Sequence, residues 1–184
     1  WTLRRGSGSQ SLYYRAIFRE TDAQKTHLPK SPVLKVQAVA DNQKPALETI
    51  ITKARQSSAD IQTFAQSALK ELNKKDGNAR LLVGNDFTDE HIVNATISVL
   101  NQAKIVALPV QGIYLNQQNK AEFNLFLAVY NEKEWVYLNP RTGASGLPKN
   151  FLVWHYGAEP LYQISGGKKP QFNLSVSQTP MNAL

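Results

Sequence analysis

The chain has 184 residues, 42% of them hydrophobic and 19% charged, with a net charge of +7 and no cysteine at all. That length suits one compact domain, whose core needs no covalent staple, and the composition is that of an ordinary globular protein. The absence of cysteine excludes disulfide scaffolds, thiolate zinc sites, iron–sulfur clusters and every cysteine-nucleophile mechanism.

Residue 1 is Trp rather than Met, so a fragment or a processed form of a longer polypeptide is expected. Leu12 to Phe18 is rich in aromatic and aliphatic residues and reads as a strand. Residues 21 to 32 are mostly polar, contain Pro29 and Pro32, and read as a loop. From Val33 to Ala40 the residues alternate, with Leu34, Val36, Ala38 and Ala40 on one side, and a second strand is expected. Pro45 opens a helix that places Leu47, Ile50, Ile51 and Ala54 on one face. Ser57 or Ser58 is expected to cap the next helix, which carries Ile61, Phe64, Ala65, Ala68, Leu69 and Leu72. Its end is read at Lys74-Lys75-Asp76-Gly77, basic residues followed by Gly. Arg80 to Val83 is a short apolar segment stopped by Gly84.

A third helix is expected from Thr88, its cap, to Gln102, with Asp89 and Glu90 in the first turn. Ile92, Ala95, Val99 and Ala103 form one stripe, and Val93, Ile97 and Leu100 make other sides apolar too. Such a helix is a central, buried one. Beyond Lys104 the period becomes that of strands. Ile105 to Leu115 is interrupted by Pro109 and Gly112, which predicts an edge position or a bulge. Phe123 to Tyr130 and Trp135 to Leu138 are strands joined by a turn at Asn131–Glu134. Asn139 to Gly143 then leaves the sheet. Pro160 to Ile164 and Phe172 to Val176 flank Gly166-Gly167 as a last hairpin. Helices first and strands later favour an α+β fold, with helices packed against an antiparallel sheet.

No P-loop, G-x-G-x-x-G, H-E-x-x-H or G-x-S-x-G segment is present. His27, His91 and His155 are far apart and none stands in a metal-ligand pair. Asp86, Asp89, Glu90 and His91 form the only dense ionisable group. Its two readings are a metal or acid–base site of a hydrolase or metal enzyme, and plain helix capping with dipole complementarity. The basic pairs Arg4-Arg5, Lys74-Lys75 and Lys168-Lys169 are scattered and not interleaved with aromatic residues, so no nucleic-acid partner is expected. No apolar run approaches the ~20 residues needed to cross a bilayer, and no signal peptide is visible.

One combination goes further. The buried helix is followed by Lys104-Ile105-Val106-Ala107-Leu108-Pro109-Val110-Gln111-Gly112, then a strand ending Val129-Tyr130, then Trp135-Val136-Tyr137-Leu138-Asn139-Pro140-Arg141-Thr142-Gly143. This order resembles the core of the transglutaminase-like superfamily, which has the papain-type cysteine-protease fold. The resemblance places the family's nucleophilic cysteine at about Asp89, its histidine at Asn124 and its aspartate at Asn139. All three residue types are lost. Acyl transfer of this kind needs a thiolate, a base within reach and a carboxylate to orient the base. Asparagine takes no proton at neutral pH, and a carboxylate is a poor nucleophile toward an amide.

A narrower resemblance spans both ends. Trp1-Thr2-Leu3-Arg4-Arg5 with Gln10-Ser11-Leu12-Tyr13-Tyr14-Arg15, and later Phe151-Leu152-Val153-Trp154-His155-Tyr156-Gly157, are similar to the family of inactive transglutaminases fused to seven transmembrane helices. The resemblance implies a bacterial inner-membrane protein with this domain outside the cytoplasm, on the periplasmic side. It also implies a functional link to an ATP-grasp peptide ligase. Residues 1–184 are then one domain, with N-terminal strands over 1–40, a degenerate core over 45–143 and a C-terminal extension and hairpin over 144–184. A pseudoenzyme without cofactor or metal is expected. Asp89, His91, Asn124 and Asn139 are the candidates for binding a peptide or small-molecule ligand, such as an amino acid, with the transmembrane region of the same protein as partner. A protein-docking module without a ligand is the structural alternative.

Overall fold

The computed structural model describes residues 38–115 and 121–157, together with 11, 13, 15–17, 28–30, 32–34, 36, 159, 171 and 173–177. A 3-10 turn, Asp41–Gln43, leads into helix α1, Lys44–Gln56. Pro45 sits in its first turn, where a missing N–H removes no helical bond. Leu47, Ile50 and Ala54 are buried as the spacing requires, and Ile51 packs partly buried beside them.

Helix α2, Ile61–Asn73, is capped by Asp60 and not by Ser57 or Ser58. The Thr63 N–H donates to Asp60 Oδ1 at 2.7 Å and the Asp60 N–H donates to Thr63 Oγ1 at 3.0 Å, a reciprocal capping box. The Thr63 N–H first, and next the Thr63 hydroxyl, which also donates to Asp60 Oδ1, hold the Asp60 carboxyl below the usual carboxylate range. Ser57 and Ser58 instead donate back to the last carbonyls of α1, at Lys53 and Arg55. Gly77 does not close α2. Lys75 makes the turn at φ 57°, and Asp76 caps a further helix, α3, Gly77–Val83, by accepting from the Ala79 N–H at 2.9 Å. The apolar segment Arg80 to Val83 therefore belongs to that helix, which Gly84 ends at φ 91°.

Helix α4, Asp89–Gln102, starts where expected, with Thr88 accepting from the His91 N–H at 3.2 Å. Ile92, Val93, Ala95, Thr96, Ile97, Val99, Leu100 and Asn101 are all buried, over most of the helix circumference, while His91, Asn94 and Gln102 keep one stripe exposed. The fully buried Thr96 hydroxyl donates to the Ile92 carbonyl at 2.7 Å, so its polar atom is satisfied inside the helix.

Strands β1, Ala107–Tyr114, β2, Phe123–Tyr130, β3, Trp135–Leu138, and β4, Phe151–Tyr156, form one antiparallel sheet in the order β3-β2-β1-β4. The α+β class expected from the sequence holds: four helices and a four-stranded antiparallel sheet. The Asn131–Glu134 turn joins β2 to β3, with Asn131 Oδ1 accepting from the Lys133 and Glu134 N–H groups. The pairing of β1 with β4 is irregular at Gln111/Gly112 as Gly112 suggests, but the extra residue, Trp154, is on β4, and β1 is an inner strand, not an edge. Val106 offers its carbonyl to β2 and Pro109 offers its carbonyl to Gly157 on the other side. Alternation thus points the Pro109 nitrogen toward the β4 side, just past the end of β4 at Tyr156, where little pairing is lost.

The described residues of Val33–Ala40 lie in no strand, and Val33 and Val36 are exposed. Alternation makes a strand only where a neighbour supplies the ladder, and none does among the described residues. The described residues of Leu12–Phe18, 13 and 15–17, also lie in no strand, with Tyr13 and Ile17 exposed, and the hairpin expected over Pro160–Val176 falls largely outside the described residues. Of the latter, the Leu174 carbonyl accepts from the Ala121 N–H at 2.9 Å.

The sheet separates two cores. On one face Ala107, Leu127, Val129 and Leu138 pack with all four helices. On the other, Val110, Phe126, Ala128 and Phe151 pack with Leu28, and Trp135 Nε1 donates to the Pro29 carbonyl at 2.9 Å. Tyr137 and Tyr156 approach each other on this second face, and the Tyr137 hydroxyl oxygen is buried without a well-formed hydrogen bond. Burial, and next the Tyr156 hydroxyl, hold the Tyr137 phenol well above its usual value.

Two outcomes follow from this packing. A Cβ added at Gly112 would sit 2.4 Å from the Leu152 carbonyl oxygen and 2.5 Å from the Phe151 ring. Gly112→Ala therefore destabilises the fold by about 2 kcal/mol in urea unfolding, as overpacked cores do. Tyr137 stays neutral in the folded state above the pH, about 10, at which an unfolded tyrosine ionises. Its contribution is complete below about pH 10 and is lost as pH rises from there toward the folded value. Stability measured across alkaline pH should fall less steeply in Tyr137→Phe than in the parent; equal slopes contradict the assignment.

Candidate functional site

Of the positions singled out in the sequence, Asp89 and the loop at Asn139 are brought together, and a residue between them does the joining. Asn139 follows β3 and spends its side chain on the backbone. Its Oδ1 accepts from the Arg141 N–H at 2.9 Å and the Thr142 N–H at 3.1 Å. Its carbonyl accepts from the Gly143 N–H at 2.8 Å, with Gly143 at φ 70°. This is the turn that an Asn-Pro-x-x-Gly segment favours. The turn is fastened to α2 by two side-chain amides. Gln66 Nε2 donates to the Gly143 carbonyl at 2.9 Å, and Asn73 Nδ2 donates to the Pro140 carbonyl at 2.8 Å.

Held in this way, Arg141 projects across to the start of α4. Its Nε donates to Asp89 Oδ1, and its Nη2 donates to the Phe87 carbonyl at 2.6 Å. Asp89, the first residue of α4, thus lies between the positive end of its own helix dipole and a guanidinium. Both side chains are about 40% exposed, so the ion pair itself contributes little, and the added carbonyl fixes its geometry. The position where the resemblance expects the family's nucleophile thus carries a carboxylate paired with a guanidinium.

Asn124 stands apart. It stands on β2 opposite Gly112 of β1, and its Nδ2 donates to the Glu122 carbonyl at 2.9 Å. Side chains alternate along a strand. Leu125, Leu127 and Val129 point to the helices, whereas Phe126 and Ala128 belong to the Phe151 core. Asn124 shares the face of Phe126, on the opposite side of the sheet from α4 and Asp89.

His91 is exposed in the first turn of α4, and its Nδ1 lies 2.5 Å from the Asp86 carbonyl. A carbonyl only accepts, so Nδ1 carries the proton in that contact. The Asp86 carbonyl also accepts from the Thr88 N–H at 2.8 Å. Glu90 is exposed on the same turn. Among the described residues no three of His, Cys, Asp and Glu are arranged to hold a metal ion. Within this group Asp89 pairs with Arg141 and His91 contacts the Asp86 carbonyl, while Thr88 caps the helix. His155 on β4 lies across from Gln111, and His27 lies outside the described residues.

Sequence reasoning missed Arg141, Gln66 and Asn73. A single arginine in a loop and two amides on a helix have no pattern of their own. The one available signal is the Asn-Pro-Arg-Thr-Gly segment, whose turn aims the arginine. Removing either Arg141 or Asp89 by alanine substitution is expected to cost about 1 kcal/mol. A double-mutant cycle by urea unfolding should give a coupling of about 0.5 kcal/mol that shrinks with added salt. Arg141→Lys should not restore it, because an ammonium cannot reach the carboxylate and the Phe87 carbonyl with one rigid fork. Additive single effects contradict the contact.

No curated protein and no solved structure matches the chain. None of the described helices is long and apolar enough to cross a membrane. Residues 1–86 match the model of the family described as inactive transglutaminase fused to 7 transmembrane helices, the family that the sequence resembles.

Proposed function

We propose that this chain is a catalytically silent recognition domain of a membrane protein, working through its surface rather than through an acyl-transfer cleft. The observation that carries the reading is the Arg141 guanidinium, seated against Asp89 and the Phe87 carbonyl where the family's nucleophile would need open space. Asn139 adds to it, since its side chain caps a turn and has no base to orient. The family description, inactive and fused to transmembrane helices, points the same way. The match ends before Asp89, so the silence of the three positions rests on their residue types and geometry.

In this reading the domain stands on the periplasmic side of a bacterial inner membrane. It takes a peptide, an amino acid or a protein partner, and passes occupancy to the transmembrane region of the same protein. A functional link to an ATP-grasp peptide ligase would supply the peptide. The binding role is favoured over the hydrolase reading because Asp86, Asp89, Glu90 and His91 do not converge on one point.

The test is incorporation of a fluorescent amine into glutamine-containing peptides. The chain should show none above background, and neither should Asp89→Cys combined with Asn124→His and Asn139→Asp. Restoring residue types does not restore a triad when position 124 lies on the far face of the sheet. Transfer by the parent chain or by the triple variant would overturn the reading.

A further inference from the structure

The turn that fills the old cleft forms, on its other side, the wall of a second feature. An open groove runs between the outer face of α2 and residues 141–143. Thr63, Gln66, Lys70, Asn73, Lys74 and Arg141 line it, with further small polar residues at its ends. No carboxylate and no aromatic side chain is among the lining residues. The charge is therefore of one sign, and the stacking platforms that single-stranded nucleic acid needs are missing.

The groups are also free to act. Lys70 is exposed and makes no ion pair among the described residues. Lys74 shares Glu71 with Lys53, leaving two ammonium groups to one carboxylate that is itself only 13% exposed. Arg141 uses Nε and Nη2 toward Asp89 and Phe87, and Nη1 carries no hydrogen bond among the described residues. Gln66 and Asn73 donate through their amide nitrogens to the turn, which leaves their amide oxygens to accept from a ligand.

Spacing narrows the class of ligand. Lys70 and Lys74 are four helical residues apart, about 6 Å along the axis. In an extended peptide, alternate side chains point the same way and are separated by about 6.6 Å. From Thr63 to Lys74 the helix runs about 16 Å, the span of about five extended residues. We infer that this groove binds an extended acidic peptide with carboxylates at alternate positions, paired with Lys70 and Lys74, while its backbone N–H groups donate to Gln66 and Asn73. The site is separate from Asp89, Asn124 and Asn139, and it gives a ligand to the binding role proposed above. It does not depend on catalytic silence, so transfer and binding assays fail separately.

Fluorescence polarisation of a labelled Glu-Ala-Glu-Ala-Glu peptide, titrated with the whole chain at low salt, tests it. Saturable binding is expected, with the Gln-Ala-Gln-Ala-Gln counterpart at least about tenfold weaker and added salt weakening the complex. Lys70→Ala with Lys74→Ala should lose at least about tenfold, and Lys133→Ala, at the far β2–β3 turn, should lose nothing. Lys70→Gln alone, which keeps the stem and leaves the Glu71 pair intact, should weaken binding as well. Equal binding of the neutral peptide would overturn the inference. So would a loss in Lys133→Ala matching that of the double variant, or displacement by tripolyphosphate at lower concentration than by unlabelled peptide.

Discussion

The structure depends on helix α4 being buried over most of its circumference, with one stripe, His91, Asn94 and Gln102, turned to water. It packs against α2 and the other helices on one side and against β1 and β2 on the other, with Ile92, Val93, Val99 and Leu100 at or near zero exposure. Each such side chain contributes about 1.5–3 kcal/mol by leaving water, so the helix has no freedom to slide or rotate. Its first turn is fixed as a consequence. Asp89 must emerge where the sheet ends and where the chain leaving β3 crosses. A carboxylate there needs a cation, and the Asn139 turn supplies Arg141.

This chain of constraints separates scaffold from chemistry. A buried helix that presents its first residue to the end of a sheet is the element an acyl-transfer site would use. Here that residue is an acid rather than a thiol, it is neutralised by a guanidinium, and the amide of Asn139 is spent on backbone N–H groups. The remaining asparagine, Asn124, lies on the other face. What the arrangement does well is hold a turn rigidly, from α2 through Gln66 and Asn73 and from α4 through Asp89 and Phe87. A rigid polar turn over a helix suits recognition, where ordering a loop on binding would weaken affinity.

Much of this was legible in the residues. α4 announces itself through Thr88, Asp89 and an apolar pattern over most of its circumference. β2 and β3 are bounded by a turn whose Asn131 does the capping. The irregular pairing of β1 is visible in Gly112, because a side chain there would collide with Phe151. What escaped has physical reasons. Asp76-Gly77 reads as the end of one helix when it is the start of another, since Asp can cap and Gly can stop. β4 is six residues long, and its bulge breaks the alternation that would reveal it. The inner place of β1 cannot be inferred without β4. At the site, spacing leads to Asp89 and Asn139. It cannot show that Asn124 faces away, because one residue of register reverses a side chain's face.

The central claim is that the Arg141 guanidinium is seated against Asp89. The most direct measurement is the Nε–H resonance of Arg141 in nitrogen-15 spectra of the whole chain. A hydrogen bond to a carboxylate predicts a displaced, slowly exchanging signal that reverts to that of free arginine in Asp89→Ala. An Arg141 signal already indistinguishable from free arginine in the parent chain would contradict the account.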